Sequence, residues 1–72
     1  MAKAHELPSE RVARDLRERI QRGEFSSGDP LPPVTELAES YGVARATVAK
    51  ALRVLVDDGL VVTRPRWGTF VA

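Results

Sequence analysis

A mainly α-helical domain closed by a small β-hairpin is the fold class that the 72-residue sequence predicts. Three features predict it. Apolar residues recur at helical spacing in three separate stretches, only Val43 and Ala44 separate Gly42 from the last of these, and the pattern turns β-favouring after Gly59. The predicted order is helix, short extended piece, helix, tight turn, helix, hairpin.

Residues 1–8 show no period and are expected to form a flexible N-terminal segment ahead of a single domain over 9–72. Ser9 is expected to cap a helix whose core face is Val12, Ala13, Leu16 and Ile20, with Gly23 as its stop. On the other face Glu10/Arg14, Asp15/Arg19 and Glu18/Arg22 stand four apart, acid before base, and are expected to pair along a solvated surface. Phe25 to Pro33 holds Gly28, Pro30, Pro32 and Pro33, which forbids a continuous helix; Phe25 and Leu31 are expected to pin this connector to the core. A second, short helix is expected from Pro33 or Val34 to Tyr41, with Val34, Leu37, Ala38 and Tyr41 as its apolar stripe and Gly42 as its end.

In the third helix Val48, Ala51, Leu52, Leu55 and Val56 share a face. Val43, ahead of a cap at Ala44, has the spacing to pack on Val48 as a hydrophobic staple. Gly59 is expected to turn left-handed so that Leu60 packs back on Leu55 in a Schellman stop. Leu60 to Thr63 and Thr69 to Val71 then read as two strands joined by a turn-rich tip at Pro65 to Gly68. Phe70 is assigned to the core, and Trp67 is left open between core and tip.

Composition narrows the function. A chain this short buries only roughly 60% of its unfolded surface, so binding through a surface is favoured over a walled substrate pocket. There is no cysteine, which removes disulfides and cysteine-based zinc sites. No leader pattern and no bilayer-length apolar run is seen, so the chain is expected to be soluble and cytoplasmic, without a membrane partner. The single histidine, His5, sits in the segment least expected to be ordered. Asp57 and Asp58 are adjacent and on a helix point about 100° apart, so they are expected to solubilise the helix end rather than to work as a carboxylate pair. No phosphate loop, nucleophile elbow or metal-ligand spacing occurs, and neither an enzymatic activity nor a cofactor is expected.

Net charge is only +1, yet the charge is unevenly divided. Residues 1–39 carry six basic and eight acidic groups; residues 40–72 carry Arg45, Lys50, Arg53, Arg64 and Arg66 against only Asp57 and Asp58. A local basic stretch suits a directional polyanion contact as well as it suits a solvated face. A short helix, a glycine-containing turn and a longer helix together make a helix-turn-helix. On its second helix the core residues leave Ala46, Lys50 and Arg53 on the far side, with Arg45, Thr47 and Ala49 near the N-terminal edge. Small side chains let a helix sit deep in a major groove, where an arginine can pair with guanine. Taken alone, the same alanines are simply good helix formers. Arg64 and Arg66 at the hairpin tip add a second basic element that can reach phosphates or the minor groove.

These residues resemble the winged helix-turn-helix domain of the GntR (gluconate-repressor) transcription regulators. The resemblance rests on Arg19-Ile20-Gln21-Arg22-Gly23-Glu24-Phe25 with Gly28, on Leu31-Pro32 with Glu36-Leu37-Ala38, on Tyr41-Gly42-Val43-Ala44-Arg45-Ala46-Thr47-Val48 with Lys50-Ala51-Leu52, and on Asp58-Gly59-Leu60-Val61 followed by Gly68-Thr69-Phe70-Val71. It implies that the second helix supports, the third enters the major groove and the hairpin is a wing at the minor groove. Arg45 matches the family's arginine at the start of the recognition helix, Thr47 its phosphate- or base-contacting threonine, and Gly68 its wing glycine.

The departures matter as much. Pro33-Val34-Thr35 replaces the frequent Ser-Glu-Arg, so Thr35 offers only a shorter hydrogen bond. Ala44 replaces the common serine cap, Ala49 a second DNA-reading arginine, and Arg66 the first wing glycine. Family members usually continue into an effector-binding and dimerising domain, whereas this chain stops at Ala72, so no small-molecule effector site is expected in it.

The expected function is that of a sequence-specific, DNA-binding transcription regulator. Arg45, Ala46, Thr47, Ala49 and Lys50 are the expected major-groove readers, and Thr35, Arg53, Arg64 and Arg66 the phosphate or wing contacts. Ala44 and Gly68 complete the candidate set. Double-stranded DNA is the expected partner, with two copies on a repeated half-site needed for high affinity. The rival from another class is a winged-helix protein-interaction module that has lost DNA reading.

Overall fold

The computed structural model describes residues 6–72. Three helices are followed by an antiparallel hairpin: α1 (Pro8–Gln21), α2 (Val34–Tyr41), α3 (Arg45–Asp57), β1 (Val61–Arg64) and β2 (Gly68–Val71). α3 is the common support, packing against α1, α2 and β1. Its inward residues Val48, Ala51, Leu52 and Leu55 meet Val12, Ala13 and Leu16 of α1 and Leu37 and Ala38 of α2 in one core, which Leu31, Val61 and Val71 complete. The periodic apolar positions of the three helices are therefore buried or half-buried, except Val56, which was assigned to the core face of α3 but is exposed because it lies at the edge of that face, toward the hairpin. His5 and the rest of residues 1–5 lie outside the described residues. No helix among the described residues is long and apolar enough to cross a membrane.

The start of α1 differs from expectation. Ser9 is not the cap; it lies inside the helix and is buried, and Leu7 holds the capping position. Pro8 at the first helical position has no N–H to satisfy and a preset φ, while the Glu10 carboxylate reaches back to accept the Leu7 N–H at 3.0 Å. Glu6 pairs with Arg14 at 3.2 Å.

The three acid-then-base pairs expected along α1 also give way, because better partners lie off the helix. Arg17 pairs with Asp58 beyond the end of α3, and Arg19 and Arg22 both pair with Glu24. Asp15 accepts the Tyr41 hydroxyl, and the same hydroxyl accepts a bond from Arg19 at 3.0 Å. The Arg19 guanidinium lies 5.0 Å from the centre of the Phe25 ring. One cluster thus ties the end of α1 to the end of α2. Within it the Arg19 hydrogen bond holds the Glu24 carboxyl below its usual range, and Glu24 in turn raises Arg19. Burial, followed by Asp15, pushes the Tyr41 phenol up.

All three helices stop by the same pair of hydrogen bonds. In α3 the Leu60 N–H bonds to Leu55 O at 3.0 Å and the Gly59 N–H to Val56 O at 2.9 Å; in α2 the Val43 N–H bonds to Ala38 O and the Gly42 N–H to Glu39 O. α1 ends likewise, Glu24 to Arg19 and Gly23 to Ile20. These are Schellman stops, and they need a left-handed residue, supplied by Gly42 at φ 68° and Gly59 at φ 77°. Turning the chain at Gly42 lets α3 begin after two residues.

The proline-rich connector is a third, short edge of the sheet, a pairing that the sequence reading did not include. Leu31 N–H bonds to Thr69 O at 2.8 Å, Gly28 N–H to Val71 O at 2.9 Å, and Val71 N–H to Asp29 O at 2.9 Å. It anchors the hairpin to the body between α1 and α2. The register Val61↔Val71 and Thr63↔Thr69 puts these residues on the α3 side. Phe70, assigned to the core, must then point the opposite way, because side chains alternate along a strand. It is half-buried on the outer face of the hairpin beside Val62 and Arg64.

Replacing Gly42 by Ala is expected to cost about 1–2 kcal/mol, measured by urea unfolding, since only glycine takes the left-handed conformation without penalty. Tyr41→Phe leaves Asp15 without its donor and is expected to cost about 1 kcal/mol. Because folding raises the phenol, the hydroxyl's contribution is complete below the ordinary tyrosine value of 10.0 and is lost as pH rises through the raised one. The gap between wild type and variant should therefore close on the alkaline side in pH-dependent melts.

Candidate nucleic-acid interface

Burying one side of α3 leaves the other as a ridge. Arg45, Ala46, Ala49, Lys50 and Arg53 are all exposed along it, and Thr47 is half-buried at its edge. The first turn of α3 is electrostatically open. Ala44 holds the capping position with no side-chain hydrogen bond, and the first turn carries no acidic residue. Thr47 and Val48 donate to Ala44 O at 3.0 and 3.2 Å, so the amides of Arg45 and Ala46 open the helix without an acceptor from the helix itself. The helix dipole adds partial positive charge where Arg45 stands.

Neighbouring elements frame the ridge on three sides. The Leu7-Pro8-Ser9 start of α1 borders a crevice with Ala46, Thr47 and Lys50. The α2 side brings Thr35 to the same crevice as Arg45, with Glu39 on its rim. Toward the hairpin, Ala49, Leu52, Arg53 and Val56 face Thr63 and Thr69 across an open trough of about 460 Å³. Thr63 and Thr69 are thus hydroxyls beside Arg53 that the sequence reading missed. Their alternation with Val62 and Phe70 was the available signal, but it needed the register to be read.

The wing tip is a four-residue turn from Arg64 to Trp67, closed by the Trp67 N–H to Arg64 O bond at 2.9 Å. Pro65 occupies its second place and Arg66, at φ 75°, its third. This is the pattern of a type II turn, whose third residue is ordinarily glycine. Arg66 is the one non-glycine residue with positive φ among the described residues. Gly68 follows as the first residue of β2, paired with Arg64. Arg64 lies on the outer face of the hairpin with Val62 and Phe70, so it does not join the Arg53 trough. Trp67, left open by the sequence, stands exposed at the tip.

Charge pairing separates the molecule into two parts. Arg14, Arg17 and Arg19 of α1 and Arg22 just beyond its end are ion-paired. Arg45, Lys50, Arg53, Arg64 and Arg66 have no acidic group within 4.0 Å among the described residues. Every cation of α3 and the wing is therefore uncompensated, in a chain whose net charge is +1.

The family profile described as "Bacterial regulatory proteins, gntR family" matches residues 8–71. The chain belongs to the gntR family. In this family's members, 43% identity over 60 residues relates it to the uncharacterized HTH-type transcriptional regulator YieP of Escherichia coli (strain K12), covering 83% of this chain and 26% of that protein. The HTH-type transcriptional repressor NagR of Bacillus subtilis (strain 168) is 39% identical over 61 residues, covering 85% of this chain and 25% of NagR. The chain thus spans about a quarter of the length of these curated relatives.

Solved structures agree on the fold. The crystal structure of AraR(DBD) in complex with operator ORR3 superposes with a TM-score of 0.88 at 32% identity, covering 90% of this chain and 78% of that one. YtrA from Sulfolobus acidocaldarius, a GntR-family transcription factor, gives 0.87 at 35% identity, covering 99% and 74%. The architecture is the winged helix-turn-helix.

Two variants test the local account. Ala44→Ser supplies the missing cap and should raise stability by about 1 kcal/mol in thermal melts. Arg66→Gly relieves the left-handed arginine and is expected to gain about 1 kcal/mol by the same measurement.

Proposed function

We propose that the chain is the DNA-binding module of a transcription regulator and recognises a specific duplex sequence. The observation that carries this is the uncompensated charge of Arg45, Lys50, Arg53, Arg64 and Arg66 on α3 and the wing, beside an α1 whose arginines are largely neutralised. A polyanion is thereby offered the α3 ridge and the wing rather than α1. Support comes from the relatives named as transcriptional repressors and from the AraR(DBD) domains crystallised with operators. The α3 ridge fits a major groove, with Arg45 as the principal reader and Ala46, Thr47, Ala49 and Lys50 setting depth and the remaining contacts. Thr35, Arg53, Arg64 and Arg66 serve phosphates, and Ala44 and Gly68 let backbone approach the duplex.

A single domain of this size makes few contacts. High affinity in our reading takes two copies on a repeated half-site, and binding is strongly weakened by salt. The activity fits a cytoplasmic repressor in which the module supplies address rather than catalysis.

Selection of bound duplexes from a random pool tests the reading, followed by titration of the recovered sequence and a scrambled control at two salt concentrations. An enriched motif that outbinds the control is expected; no enrichment together with no low-salt affinity overturns it. Arg45→Ala should reduce discrimination at one base position by about 1–3 kcal/mol. Arg66→Ala should weaken all duplexes alike and lower the slope of log affinity against log salt by about 1.

A further inference from the structure

Trp67 is 77% exposed, more than any other large apolar side chain among the described residues, and it packs on no part of the core. The backbone beneath it is nevertheless tightly specified. Pro65 fixes one dihedral, Arg66 is held at φ 75°, and the Trp67 N–H is bonded to Arg64 O at 2.9 Å. Paired strands begin immediately on either side, at Arg64 and Gly68. From this turn the indole projects into water. Keeping so large an apolar surface exposed is unfavourable, and its burial in a complex would be correspondingly favourable. Its two neighbours at the tip, Arg64 and Arg66, are free of ion pairs.

We propose that Trp67 is a DNA-contacting residue, a wedge whose indole enters the minor groove and stacks on a base step while Arg64 and Arg66 hold the flanking phosphates. The inference rests on the proposed DNA-binding reading. A minor groove about 6 Å wide does not admit two strands about 4.8 Å apart with their side chains, so only tip residues reach its floor. Among Pro65, Arg66 and Trp67, the tryptophan alone offers a broad planar apolar face. Apolar side chains inserted at a base step unstack it and kink the duplex, most easily at pyrimidine–purine steps. The wing then contributes to sequence choice through the deformability of its site.

Trp67 is the only tryptophan, so its emission reports on this one position. A short labelled duplex of the pool-selected sequence, or a random duplex at low salt, is titrated while label anisotropy and tryptophan emission are followed together. The expected result is quenching of Trp67 emission, and loss of its access to acrylamide, in step with the anisotropy rise. Trp67→Ala should weaken binding about tenfold and Trp67→Phe by less, with the far-ultraviolet circular dichroism of both unchanged. A full anisotropy rise with unaltered emission, or unaltered affinity of Trp67→Ala, overturns the wedge and leaves DNA binding standing. No anisotropy rise at low salt overturns both.

Discussion

The apolar seam along α3, from Val48 through Ala51 and Leu52 to Leu55, is the contact on which the other elements depend. α1, α2 and β1 have α3 as their common neighbour, and the core closes only because all three meet it. A helix buried this way must present its remaining side to solvent. Its first turn is also exposed, because the left-handed Gly42 brings the chain into α3 without an intervening loop that could cover it. The same burial that stabilises the domain therefore creates the ridge bearing Arg45, Ala49, Lys50 and Arg53.

Charge follows this division. Acidic residues outside the helices pair with the arginines in and just after α1: Asp58 with Arg17, Glu24 with Arg19 and Arg22, and Glu6 with Arg14. Such exposed pairs add little stability individually. Their larger effect is that little basic charge is left uncompensated on α1, so the cations of α3 and the wing dominate the local field. A near-neutral chain thus presents a directional positive surface, which suits a partner that is a long polyanion.

Much of this was legible in the linear order of residues. The helical periods, the glycine stops at Gly42 and Gly59 and the hairpin at residues 60–71 depend on interactions between positions a few residues apart, and the structure reproduces them. The candidate ridge on α3 was readable for the same reason, since a helix's exposed face follows from its buried one. Where the reading failed, a competing partner had won, in some cases a local one and in others a distant one. Ser9 lost the cap to the Pro8–Glu10 arrangement, and the pairs within α1 lost to Asp58, Glu24 and Tyr41. Phe70 was assigned by its type, while its direction was set by the register with Val62.

By itself, then, the sequence determined the elements, their stops and the basic half of the molecule, because local geometry and residue chemistry suffice for these. Tertiary structure decided that Asp58 cancels Arg17, which face of the hairpin looks at α3, and how the proline-rich connector docks as its third edge. It also decided that Trp67 stands outside the core on a constrained turn. Each of these depends on where distant segments meet, and burial and hydrogen-bond competition between such segments is settled only when the whole chain is packed.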